Sequence, residues 1–143
     1  MINKIALGCD HAGLELKNII SDFLKSNNYV VNDFGTNDAD SVDYPDFAQN
    51  VAKSIINSES DFGILVCGTG IGISIAANRF SEIRAANCCT VEMAELSRQH
   101  NNANIIALGA RIIDKETALD CVKAFLTTDF EGGRHQRRID KMS

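Results

Sequence analysis

At 143 residues and 45% hydrophobic content, the chain has room for one domain with a genuine core and too little for two. A formal net charge of −5 argues against a general nucleic-acid or lipid-surface binder, which would carry a basic excess. Five cysteines without C-x-x-C spacing fit free thiols in a reducing compartment better than disulfides or a zinc site.

The first apolar run, residues 4–9, reads as a buried strand ending in Gly8-Cys9-Asp10-His11. Asp10 interrupts it early and no small-residue cleavage site follows, so it does not read as a secretory signal. No apolar stretch approaches the roughly 18 residues needed to cross a bilayer, so the expectation is a cytoplasmic protein with no membrane partner. Leu16, Ile19, Ile20, Phe23 and Leu24 then recur at helical spacing, up to the stop at Asn27-Asn28. Residues 29–34 are β-branched and aromatic, predicting a second strand closed by Gly35-Thr36-Asn37-Asp38. Pro45 suits the first turn of a helix whose buried stripe is Phe47, Val51, Ile55 and Ile56. Residues 62–67 are continuously apolar, as in strands covered on both faces. Gly68-Thr69-Gly70-Ile71-Gly72 follows and opens a short helix through Ala77. Residues 85–89 predict a fourth strand, 91–100 a helix, and 105–109 a fifth strand. Asp114 caps a last clear helix carrying Leu119, Val122, Phe125 and Leu126.

Strands alternating with helices imply an α/β fold: one domain, a doubly wound, mostly parallel five-stranded sheet with helices on both faces, Rossmann-like. In such a sheet ligands bind beyond the carboxyl ends of the strands. That rule singles out Asp10-His11, the Cys67–Gly72 segment and Gly109-Ala110-Arg111.

Cys67 stands before a helix start, where backbone N–H groups are unpaired and carry partial positive charge. A thiol among such donors is usable as a base or nucleophile. The loop after it fails the dinucleotide pattern, which needs glycine at Ile73, and lacks the lysine of a P-loop. What remains is an anion-binding nest, fit for a phosphate or for an oxyanion developing beside Cys67. His100-Asn101 ends a helix, and with Asp10-His11 is expected to give a second titratable pair on the same sheet edge. In the basic tail, a helix after Gly132-Gly133 would put Arg134 and Arg138 at i and i+4 on one face, a phosphate clamp. No aromatic residues interleave the tail, which weighs against nucleic acid as its partner.

Gly8-Cys9-Asp10-His11-Ala12-Gly13, Asp43-Tyr44-Pro45, the segment 67–74, Ser97-Arg98-Gln99-His100-Asn101 and Glu131-Gly132-Gly133-Arg134-His135 together closely resemble the type B ribose-5-phosphate isomerases. The resemblance spans essentially the whole chain, in order. It implies a homodimer, with dimers pairing into tetramers left open, whose active sites straddle the subunit interface. It implies Cys67 as the base that moves a proton between carbons 1 and 2 of ribose 5-phosphate through an enediolate. Gly68, Gly70, Ile71, Gly72 and Ser74 would supply the anion hole, with Thr69 near the shuttled hydroxyls. His100, assisted by Asp10, would open the sugar ring. His11, Arg134 and Arg138 would bind phosphate, joined by Arg111 from the partner subunit, the basic segment 132–143 completing that site. Asn101 would orient sugar hydroxyls and Tyr44 line the pocket. Some members carry glycine in place of the cysteine and a glutamate at the position of Ile73; Cys67 and Ile73 put this chain in the cysteine branch.

The chemistry asks for one base, one acid and a stabilised enediolate, with no metal and no cofactor. The rival substrates are galactose 6-phosphate and allose 6-phosphate. A rival of another class is a non-enzymatic nucleotide-binding domain, against which the glycine pattern argues.

Overall fold

The computed structural model describes residues 2–142. Its strands are β1 (Lys4–Cys9), β2 (Val30–Asp33), β3 (Phe62–Cys67), β4 (Ala85–Asn87) and β5 (Ile105–Gly109). Its helices are α1 (Leu14–Ser26), α2 (Tyr44–Ile56), α3 (Ile71–Ala77), α4 (Val91–Asn101), α5 (Lys115–Thr127) and α6 (Arg134–Asp140). The five strands form one sheet in the order β2-β1-β3-β5-β4, every pair parallel. The doubly wound sheet expected from the sequence is the fold observed. Among the described residues no helix is long and apolar enough to cross a membrane.

Alternation along the strands explains why their sequences look uniformly apolar. Ile5, Leu7, Ile64, Val66, Ile106 and Leu108 face one way, against Leu16, Ile20 and Leu24 of α1 and Val122 and Phe125 of α5. Ala6, Leu65, Cys67, Ile105 and Ala107 face the other way, against Ala48, Val51 and Ala52 of α2 and Ile73 and Ala77 of α3. With both faces covered, polar positions have no place in β3. The helix α6 packs on α4.

The edge strands are shorter than their sequences suggested. Residues 29–34 yield only Val30–Asp33, and 85–89 only Ala85–Asn87, because an edge strand is paired on one side alone. At the β4 edge the Asn78 side chain acts as a substitute strand: its Oδ1 accepts from Ala85 N–H at 2.7 Å and its amide donates to Ala85 O at 2.9 Å.

The chain runs outward from β1 to β2, then returns past β1 to β3. The connections leaving β1 and β3 therefore diverge, and a crevice opens between the carboxyl ends of these two strands.

Candidate active site

Asp10 and His11 leave β1 at this crevice, in a short 3-10 turn over His11–Gly13. Asp10 N–H donates to Val66 O at 3.2 Å, tying the turn to β3 one residue before Cys67. A Cβ on Gly13 would lie 2.6 Å from Val66 O, so only glycine lets the turn sit this close. The Asp10 carboxylate accepts from Ala12 N–H and Gly13 N–H at 3.0 and 3.2 Å, capping the turn. His11 Nδ1 accepts from Val42 N–H at 3.2 Å, which fixes the neutral ring's proton on Nε2.

Cys67 closes β3 and is buried, with 5% of its surface exposed. Its Sγ accepts a hydrogen bond from Gly70 N–H at 3.1 Å. Gly70 makes this turn in the left-handed region, φ 80°, and a Cβ there would lie 2.4 Å from Asn87 Oδ1. Ile71 N–H donates to Thr69 Oγ1 at 3.1 Å. The other N–H groups of this first turn, at Gly72 and Ile73, have no helical acceptor. The remaining buried thiols stand apart. Burial pushes Cys9 and Cys121 up to about 11 and Cys88 up to about 12, holding them protonated.

Two further residues join this cluster. A Cβ on Gly72 would lie 2.6 Å from Tyr44 Cζ, so the Tyr44 ring lies against the glycine loop from the start of α2. Arg111 extends over Gly68, its Nη1 3.2 Å from where a Cβ would stand there, and its N–H donates to Gly68 O at 2.9 Å. The expectation that Arg111 comes from a partner subunit is thus corrected: this chain's own Arg111 reaches its own glycine loop, because β5 lies beside β3. Ser74 is at the site, but its hydroxyl donates to Ile71 O at 2.7 Å, within its own helix.

The expected pairing of His100 with Asp10 on one sheet edge does not form within the chain. A helix that leaves the carboxyl end of a parallel strand runs back to the amino ends of its neighbours. His100 and Asn101, at the end of α4, therefore lie toward the amino end of β5, opposite the end at which Cys67 stands. Arg84 holds this end of α4, donating from Nε to Asn101 O at 3.0 Å.

The tail is helical, as the clamp requires. In α6 His135 and Ile139 are buried, while Arg134 and Arg138 project together from the exposed face. They stand beside α4, with His100, because the His100 and His135 rings stack at 4.3 Å between centroids. Sequence reasoning took the two arginines from this segment and passed over Glu131 and His135. The signal was there, in the Gly132-Gly133 pair that starts a helix carrying histidine on its inner face.

The fold thus gathers the candidate residues into two groups: Asp10, His11, Tyr44, Cys67–Gly72 and Arg111 at one edge; His100, Asn101, Arg134 and Arg138 at the other. Exposed apolar side chains border the first of these, Ile71 at 55%, Ile75 at 56% and Ile112 at 60% exposure.

The family model described as Ribose/Galactose Isomerase matches residues 5–142. The Escherichia coli (strain K12) protein named ribose-5-phosphate isomerase B is 46% identical over 142 residues, covering 99% of this chain and 95% of its own length. A crystal structure of a ribose 5-phosphate isomerase from Thermotoga maritima aligns with TM-score 0.97 at 53% identity, over 98% of this chain and 97% of its own. The Mycoplasma genitalium ribose-5-phosphate isomerase B structure, with bound ribulose-5-phosphate, aligns with TM-score 0.94 at 46% identity, over 99% of this chain and 95% of its own.

Proposed function

The chain belongs to the ribose/galactose isomerase family, and on that footing we propose that it interconverts ribose 5-phosphate and ribulose 5-phosphate by cysteine-based proton transfer. The observation that carries the reading is the Gly70 amide aimed at Cys67 Sγ in the crevice beside Asp10 and His11. In this mechanism Cys67 removes the proton from carbon 2 of the open-chain aldose and returns it to carbon 1, while the proton of the carbon 2 hydroxyl passes to the carbon 1 oxygen. The negative charge that develops on the sugar oxygens is met by the N–H groups of the glycine loop and by the Thr69 hydroxyl, which are fixed before the reaction begins. His11, with its Nε2–H free to donate, and Arg111 approach the phosphate from the same subunit.

The acid comes from the second group. Because His100, Asn101, Arg134 and Arg138 lie at the far edge of their own sheet, we propose a homodimer in which they complete the partner's crevice. His100 protonates the ring oxygen so that the furanose opens, Asn101 orients hydroxyls, and the two arginines close on the phosphate. The exposed Ile71, Ile75 and Ile112 give such an interface an apolar component beside the crevice. We place the enzyme in the cytoplasm and in the pentose phosphate pathway. The reaction is an internal redox shift, and base, acid and oxyanion donors all come from side chains and backbone.

The test is an isomerisation assay on the purified, chelator-treated protein with ribose 5-phosphate, allose 6-phosphate and galactose 6-phosphate. Turnover of the five-carbon sugar ahead of both others supports the reading. Preference for a six-carbon sugar, or no turnover, overturns it.

A further inference from the structure

Glu131 and His135 have no task in this mechanism, yet both touch its acid. The His135 ring is buried and lies almost flat on His100, with 13° between the ring planes. Glu131 Oε1 reaches both rings, 3.6 Å from His135 Nε2 and 4.0 Å from His100 Nε2. The backbone sets this up: Glu131 N–H donates to Gln99 O at 3.1 Å, which ties the segment to α4 one residue before His100. His135 N–H donates to Gly132 O at 3.1 Å at the opening of α6. The three side chains assemble a His–Glu–His group, with nitrogen and oxygen atoms within 4.8 Å of one another. Near-parallel rings set their Nε2 lone pairs side by side, a geometry that suits stacking better than convergence on a cation.

We propose that His135 and Glu131 are positioning residues for His100: His135 is the platform that fixes the imidazole plane, and Glu131 is the counter-charge beside its Nε2. The proposal rests on the reading of His100 as the ring-opening acid. A half-exposed histidine at a helix end rotates about two side-chain bonds. Stacking one face on a buried ring removes most of that freedom before substrate arrives. Burial first, then the charges of His100, Arg134 and Arg138, hold His135 below the usual histidine range against the pull of Glu131. An uncharged platform does not repel a protonated His100.

The two sugars separate the steps. Ribose 5-phosphate closes into a furanose and needs ring opening. Ribulose 5-phosphate cannot close through its phosphorylated fifth oxygen, so exchange of its carbon 1 hydrogen with deuterated water reports proton transfer alone. His135→Ala is expected to lower kcat on ribose 5-phosphate about tenfold or more, part of the contribution of a placed acid. KM and deuterium exchange should stay within about twofold. His135→Phe, which keeps a flat ring, should recover most of the loss. Glu131→Gln should lower kcat on ribose 5-phosphate several-fold and leave exchange alone. A matched rise in KM for both sugars would make His135 a phosphate grip and overturn the proposal. So would equal losses in the Ala and Phe variants, or undiminished turnover in all three. If His135→Ala does not fold, the Phe and Gln variants decide alone. His100→Ala is the reference: if it retains full turnover, the acid assignment falls and the proposal with it. If it is inactive while the His135 and Glu131 variants are not, only the positioning role falls.

Discussion

Cys67 shows how little separates a working thiol from a buried one. It shares its burial with Cys9, Cys88 and Cys121, and differs in having a backbone amide, that of Gly70, aimed at its sulfur. With sulfur as the base, Cys67→Ala should lower turnover by about three orders of magnitude while circular dichroism and thermal unfolding stay close to the parent's. Its position at a strand end before a glycine loop made it legible in the sequence, as did Asp10 and His11. Lys17 was not legible. It lies inside the apolar stripe of α1, and nothing in the sequence distinguishes a buried lysine from a solvent-facing one. Yet it is fully buried, its Nζ donating to Asp33 at 2.8 and 3.0 Å, to Thr36 O at 2.8 Å and to Asn37 Oδ1 at 2.8 Å. It fastens the loop after β2, the loop whose Val42 meets His11. Lys17→Met would leave the Asp33 carboxylate without its cation, so denaturant unfolding should show a loss of about 3 kcal/mol, typical of a broken buried pair.

At the scale of elements, β1, β3 and β5 begin and end where their apolar runs do, because a strand flanked by two others is bounded by burial itself. The helix α6 was legible only conditionally. A seven-residue helix has no stability of its own, and the sequence does not say that α4 will support it. Arg134→Ala removes one arm of the proposed clamp on a part of the substrate that does not react, so KM for ribose 5-phosphate should rise about tenfold with kcat nearly unchanged. The rise should shrink at high salt. The start of β1 depends on another side chain: Asn3 N–H and Lys4 N–H both donate to Asp61 Oδ2 at 2.9 Å. The Lys4 bond, then the Asn3 bond, hold the Asp61 carboxyl below its ordinary 3.8. A lowered folded value means stability that is present above pH 3.8 and lost as pH falls through that lower value. Asp61→Ala should therefore melt below the parent at neutral pH, and the two melting curves should converge in acid.

For the molecule as a whole, the sequence conveyed the fold class but placed His100 on the wrong edge of the sheet. The direction of the returning helix was what the reading missed. The proposed division of the site between two subunits is testable by mixing. Cys67→Ala and His100→Ala homodimers should each be nearly inactive. Unfolded together and refolded, they should recover about a quarter of the parent activity, since half of the dimers are mixed and each of those has one intact crevice. No recovery would mean that each crevice draws both residues from one chain.

The amide of Asn78 has a consequence for how this sheet can meet others. By occupying the outward N–H and C=O of Ala85, it denies that flank to an incoming strand. On the opposite margin, along Val30–Asp33, Val30 N–H turns inward to Asn3 O at 2.8 Å, and the outward backbone of Val31 has no side-chain substitute of that kind among the described residues. Any cross-chain ribbon, whether a native assembly contact or a first step toward fibrils, would then nucleate on the second strand and grow in one direction only.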